Sequence, residues 1–295
     1  MNEKKIIKKI DETFNVEKDY KLFRLVQDIL NPTWKIKNSF KDTEIDVETH
    51  KVPVRIFPNS NENKKLIIFI HGGGWSSGSV KSYSKICKRL SDELNTTILS
   101  IDYKLAPEYP FPYAFNECYD VIKKIYDTYS NEIDRDNITL MGDSAGGNLV
   151  AAISQKAKDK RDFKVKQQIL FYPTVQMDYS INTKYKSVIE NGDSQLLTRK
   201  QLTGFVNLYI KNKEKRNNVY AQPILARHLF GLPKTIIIVG SKDPLRDEAV
   251  AYSKKLSRHF VNSKYYILED ATHGFLTNIL DTKYTNESIK ILKSM

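Results

Sequence analysis

Gly142-Asp143-Ser144-Ala145-Gly146-Gly147 follows the apolar run Ile138-Thr139-Leu140-Met141 and leads into a helix-compatible stretch that reaches Lys158. A Gly-x-Ser-x-Gly turn between a strand and a helix forces its serine into a strained backbone conformation and lifts the hydroxyl to the C-terminal end of the strand. Glycine is needed at both ends so that the chain can pass closely. The pentapeptide alone is a moderate signal, and its weight depends on what else the chain supplies.

Upstream, Leu66-Ile67-Ile68-Phe69-Ile70 reads as a buried strand that runs into His71-Gly72-Gly73-Gly74-Trp75. Three successive glycines leave backbone N–H groups free of side-chain cover, as an oxyanion hole requires. A phosphate-binding reading fails on the motif itself, because the loop lacks the lysine and Ser/Thr of a P-loop and the spacing of a dinucleotide fingerprint.

A serine nucleophile needs a base, and the base needs an acid to hold its tautomer. Of the five histidines, His50 lies in an alternating early segment, His71 belongs to the glycine loop, and His228 and His259 fall in polar stretches. His273 stands in Ala271-Thr272-His273-Gly274-Phe275, just past the strand-like Tyr265-Tyr266-Ile267-Leu268, where a loop at a strand end would carry it. The acid is best placed at Asp243, immediately after the strand-like Thr235–Val239; Asp247 competes, but it falls inside the following helix, where it is expected to cap or pair locally. The chain order Ser, Asp, His is that of an α/β-hydrolase triad.

These segments resemble the hormone-sensitive-lipase-type esterases, a family of α/β-hydrolases marked by His-Gly-Gly-Gly before the nucleophile. The resemblance is carried by His71–Trp75, Asp102-Tyr103-Lys104-Leu105-Ala106-Pro107-Glu108-Tyr109-Pro110-Phe111-Pro112, Gly142–Gly147, Asp243–Glu248 and Ala271–Phe275, together spanning about residues 66 to 277. It implies a triad of Ser144, Asp243 and His273, with the N–H groups of Gly73, Gly74 and Ala145 as the oxyanion hole. Two departures are visible: Lys104 replaces the family's usual arginine, and Phe115-Asn116-Glu117 stands where leucine and two acidic residues are usual. The activity implied is a serine carboxylesterase acting on small, short-acyl esters. An amidase or a dehydratase on the same scaffold is the alternative. A non-catalytic small-ligand receptor ranks behind both, because receptors of the family lack the histidine kept here.

Strand patterns near 66–71, 96–102, 138–142, 167–172, 235–240 and 264–268 alternate with helical patterns near 82–94, 113–129, 144–158 and 246–260. That rhythm predicts a mainly parallel central sheet with helices on both faces, and the alternating pair 44–50 and 52–57 predicts an antiparallel edge. The whole chain, 1–295, reads as one α/β-hydrolase domain. Two stretches fall outside the rhythm: residues 1 to about 40, with Ile6, Ile7, Ile10 and Phe14 on one helical face and Leu22, Phe23, Val26, Ile29 and Leu30 on the next, and residues about 176–220. Both are expected to form a helical cap, the second inserted between core strands. Trp75, Phe205, Val206 and Tyr209 are its candidate substrate-binding residues, with one or two of the last three facing the acyl group.

The formal net charge is +12 over 295 residues, but lysines are spread along the chain without an arginine-rich or aromatic-interleaved patch, which argues against nucleic acid as a partner. No window approaches the apolar length of a spanning helix, so stable membrane insertion is not expected, and a cytoplasmic location is. Cys87 and Cys118 lack metal-ligand spacing and read as reduced, buried thiols. The chemistry calls for no metal and no cofactor, only a small ester substrate, and leaves room for a homo-oligomer.

Overall fold

Leu66–Ile70 (β3) is buried along its whole length, so it needs cover on both faces, and the fold is built around that need. The computed structural model describes residues 15–30, 36, 39–59, 64–193, 197–278 and 281–294. Lys41–Val47 (β1) and His50–Phe57 (β2) form a hairpin, and the sheet continues through Thr97–Ile101 (β4), Ile138–Asp143 (β5), Gln167–Phe171 (β6), Lys234–Gly240 (β7) and Ser263–Leu268 (β8). The eight strands lie in the order β1-β2-β4-β3-β5-β6-β7-β8. β2 runs antiparallel to both β1 and β4, and every other pair is parallel. The parallel sheet with its antiparallel edge is therefore the one the alternation predicts.

The crossover helices are Ser84–Leu94 (α2), Tyr113–Thr128 (α3), Ala145–Lys160 (α4) and Arg246–Arg258 (α7). α4 is buried almost all round through its first three turns, as its run of Ala, Gly, Leu, Val and Ile allows. Its approach is close enough to require glycine: a Cβ on Gly146 would stand 2.0 Å from the Ile70 carbonyl oxygen, and one on Gly142 would stand 2.6 Å from that of Gly146. The parallel strands β3, β5, β6, β7 and β8 thus deliver their C-terminal loops to one edge of the sheet, where ligands of open α/β folds bind. Lys283–Lys293 (α8), which follows the last strand and lies outside the strand–helix alternation given above, packs on α2.

Outside this layered core stand Val16–Leu30 (α1), Lys186–Asn191 (α5) and Arg199–Tyr209 (α6), the last two in the connection between β6 and β7. Thr198 starts α6 with a capping box, its hydroxyl accepting the Gln201 N–H while the Gln201 side chain accepts the Thr198 N–H. α1 and α6 pack on each other through Val16, Phe205 and Leu208, with Tyr20, Phe23 and Leu197 alongside, a hydrophobic cluster separate from the main core. The expected first helix with Ile6, Ile7, Ile10 and Phe14 lies outside the described residues. In α1 Leu22 faces solvent while Phe23 turns inward against Phe205, so the apolar face is narrower than its spacing predicts. Among the described residues no helix is long and apolar enough to cross a membrane.

Candidate active site

Ser144 sits at the turn from β5 into α4 with φ 51° and ψ −118°, a conformation that costs roughly 1–3 kcal/mol and persists because the surrounding packing fixes it. The turn puts its Oγ 3.0 Å from His273 Nε2, and His273 Nδ1 lies 2.8 Å from Asp243 Oδ2. With a carboxylate on the Nδ1 side, Nδ1 carries the proton and Nε2 is left to accept the serine hydroxyl. Asp243 is fully buried. Its second oxygen accepts the Leu245 N–H at 2.8 Å, and its backbone carbonyl accepts the Asn191 side-chain amide of α5 at 3.2 Å. His273 is backed by the Tyr172 ring, edge to face at 4.6 Å. Asp247 is turned away: its carboxylate accepts the Ser187 N–H and pairs with Arg246.

Facing Ser144 is the glycine loop. The Gly72 carbonyl lies 2.9 Å from His71 Nδ1, and the Gly73 carbonyl accepts the Ser76 N–H, the Ser77 N–H and the Ser77 hydroxyl. Because a trans peptide points its N–H opposite to its C=O, tying down these carbonyls directs the N–H groups of Gly73 and Gly74 the other way. Neither N–H makes a hydrogen bond among the described residues. The N–H of Ala145 is one of the unpaired donors at the start of α4. Gly73 and Gly74 have φ of 109° and 60°, and a Cβ on Gly74 would lie 2.3 Å from the Phe205 ring. Only glycine fits there.

Asp143, the variable residue of the nucleophile turn, carries more of this arrangement than its position suggests. Its carboxylate accepts the Gly72 N–H at 2.8 Å and the Tyr83 hydroxyl at 2.9 Å, so β5 is tied to the glycine loop. Burial pushes its carboxyl up to about 6, against the opposing pull of those hydrogen bonds and of His273. A second buried carboxyl, Glu248 in the first turn of α7, accepts the Val175 N–H at 2.8 Å and the Gln176 amide at 2.7 Å, and burial pushes it up to about 8. Glu248 thereby fixes the loop after β6, whose Thr174 and Tyr179 reach the site. Asp143 lies in the nucleophile turn and Glu248 closes the stretch Asp243–Glu248, but spacing along the chain gives neither carboxyl a role.

A cavity of about 220 Å³ opens over Ser144 and His273. Trp75, Phe205 and Val206 line it, as do Val16 and Phe23 from α1 and Leu197 and Leu202 from the connection. Tyr209 does not, and the expectation for it is corrected. It ends α6, one turn beyond Phe205, and lies fully buried behind Trp75, their rings stacked at 4.3 Å. Helical spacing gave Tyr209 the face of Phe205 but not its depth. Trp75, with φ 56°, separates the two environments. No group of three or more His, Cys, Asp or Glu suited to a metal occurs among the described residues. Cys87 and Cys118 are buried, and burial raises both thiols.

The family profile for the alpha/beta hydrolase fold matches residues 67–277, a span that holds the glycine loop, the nucleophile turn, Asp243 and His273 but not α1. The chain is 34% identical to an arylesterase of Saccharolobus solfataricus over 239 residues, covering 80% of this chain and 76% of that protein. It is 32% identical to the carboxylic ester hydrolase LipN of Mycobacterium tuberculosis, covering 80% of this chain and 64% of LipN. Among solved structures, a hyperthermophilic esterase from the archaeon Pyrobaculum calidifontis superposes with a TM-score of 0.88 at 28% identity, covering 99% of this chain and 95% of that one. With the strand order and the nucleophile turn, these likenesses make the chain a member of the α/β-hydrolases, in their hormone-sensitive-lipase-type esterase family.

Proposed function

We propose that the protein is a serine carboxylesterase in which Ser144, His273 and Asp243 act as nucleophile, base and acid. One observation carries the reading: an unbroken proton path, Ser144 Oγ to His273 Nε2 at 3.0 Å and His273 Nδ1 to Asp243 at 2.8 Å, opens at its serine end into a cavity that Gly73 and Gly74 also line. Ser144 Oγ bonds to the ester carbonyl carbon as its proton passes to His273 Nε2, and Asp243 stabilises the imidazolium. The carbonyl oxygen takes the negative charge and receives the N–H groups of Gly73, Gly74 and Ala145. The carbon–oxygen bond to the alcohol then breaks, the alcohol leaving with the proton from Nε2. Water attacks the acyl-enzyme, giving its proton to His273, which returns it to Ser144 Oγ as the carboxylic acid departs.

The residues of α1 and of the β6–β7 connection act as a cap, with Trp75, Phe205 and Val206 as contacts for the substrate. The size of the cavity and its apolar Phe23, Phe205 and Val206 support short acyl chains. Hydrolysis of a chromogenic ester series from acetyl to long acyl, by the protein and by Ser144→Ala, tests the reading. Turnover that peaks at short acyl chains and disappears in the variant is expected. Turnover that survives in the variant overturns it.

A further inference from the structure

The oxyanion loop is held from outside the catalytic core. Arg24, in the middle of α1, donates from Nε to the Ser76 carbonyl at 2.6 Å and from Nη2 to the Ala106 carbonyl at 2.8 Å. Ala106 in turn donates its N–H to the Trp75 carbonyl at 2.9 Å. The guanidinium therefore closes a bracket around Trp75 and Ser76, the residues that follow directly on Gly73 and Gly74. Ser76 is itself one of the donors that fix the Gly73 carbonyl. Glu108 holds the other edge of the guanidinium through Nη1 at 3.1 Å and Nη2 at 2.8 Å, and this hydrogen bonding keeps the Glu108 carboxyl below its ordinary range. One turn of α1 further on, Gln27 accepts the Gly78 N–H at 2.9 Å. Two successive turns of α1 thus reach the far end of the same loop.

We propose that Arg24 is a positioning residue for the oxyanion hole, coupling the seating of α1 to the placement of the Gly73 and Gly74 N–H groups. The proposal rests on the role assigned to those glycines above. Its physical content is that α1 does more than cover the pocket. When α1 is seated, the planar guanidinium fork meets two carbonyls and a carboxylate at once, a geometry that the single ammonium of lysine cannot reproduce. When α1 lifts, the Ser76 carbonyl loses its partner and the turn that aims the Gly74 N–H loosens. Catalytic competence then depends on cap closure even for a substrate too small to touch the cap.

The test compares Arg24→Ala, Arg24→Lys and Glu17→Ala on 4-nitrophenyl acetate, with a short-chain trifluoromethyl ketone as a tetrahedral analogue. The Glu17 carboxylate accepts the Asn207 side-chain amide of α6 at 2.9 Å, an exposed contact away from the loop whose loss leaves α1 seated through Val16 and Phe23, and it serves as the control. Arg24→Ala is expected to lower kcat by roughly 10- to 100-fold, less than the 10²–10³ reported for deleting an oxyanion donor outright. Affinity for the ketone should fall by the same factor while KM moves little. Arg24→Lys should fall between, which keeps the test valid if the alanine variant folds poorly. Glu17→Ala should leave kcat and ketone affinity unchanged. If Arg24→Ala raises KM alone, or keeps its kcat and its ketone affinity, the residue merely seats the cap and the proposal fails. Ser144→Ala is measured alongside: retained turnover there overturns the active-site reading and the proposal with it. A dead Ser144→Ala beside an unaffected Arg24→Ala overturns the Arg24 proposal alone.

Discussion

Asp143 accepts the Gly72 N–H at 2.8 Å, so the residue before the nucleophile holds the loop that supplies the proposed oxyanion donors. A Cβ on Gly72 would lie 2.6 Å from the other oxygen of the same carboxylate, which explains the first glycine of the loop by contact rather than by turn geometry. The negative charge also favours the imidazolium that forms on His273 during attack, since the two groups interact across a buried site.

That relationship has a pH signature. With its carboxyl pushed up to about 6, Asp143 is ionised above that pH and protonated below it. Asp143→Asn keeps an acceptor for Gly72 and removes the charge at every pH. Its kcat/KM at pH 8 is expected to be about tenfold below the parent, and the ratio should close toward unity as pH falls below about 6. Parallel pH profiles from 5 to 9 check this, and a ratio constant across that range contradicts it.

Phe205 and Tyr209 share a helix face but not a role. Phe205→Ala should shift the preferred acyl chain to a longer one, because a methylene that finds apolar room is worth about tenfold or more in kcat/KM. Tyr209→Ala should leave the preference in place and lower stability by about 3–5 kcal/mol, the ordinary cost of emptying a buried aromatic site. Acyl-length series and denaturant titrations on both variants separate the two. An unchanged length profile in Phe205→Ala would show that Phe205 does not set the acyl length.

Glu248 makes stability depend on pH, in the same sense as Asp143 but over a range that extends higher. Its carboxyl binds a proton more tightly in the fold, at about 8, than in the unfolded chain, near 4.5. Its contribution to stability is therefore greatest below the unfolded value and is lost as pH rises through about 8. Glu248→Gln removes this dependence, so the melting temperature of the variant should gain on that of the parent as pH rises from 5 to 8. Thermal unfolding at pH 5, 6.5 and 8 reads it directly. Melting curves that move in parallel would show that Glu248 is not the group responsible.

The layered core was legible because each of its signals is local. Leu66–Ile70 and Ile138–Met141 are apolar runs of strand length, and the turns after them carry glycines with steric reasons to be there. The positions of Ser144, Asp243 and His273 followed from strand ends and chain order, both readable in one dimension. What escaped were contacts between segments far apart in sequence. Arg24 meets Ser76 across 52 positions and Glu108 across 84, and nothing in the pattern of α1 distinguishes that arginine from the lysines around it. Tyr172 and Glu248 escaped for the same reason, because their importance lies in what they face. Tyr209 shows the converse failure, in which periodicity reports direction around a helix but not distance along it from the cavity.

In the proposed reaction Ser144 Oγ becomes covalently acylated. Treating the protein with diethyl 4-nitrophenyl phosphate tests it most directly: the serine oxygen bonds to phosphorus, 4-nitrophenolate leaves and His273 takes up the serine proton. Intact mass should show one diethylphosphoryl group per chain, peptide mapping should place it on Ser144, and ester hydrolysis should fall in proportion to labelling. Ser144→Ala should take up none. A label on another residue that tracks the loss of activity, or full inactivation with Ser144 unmodified, would contradict the account.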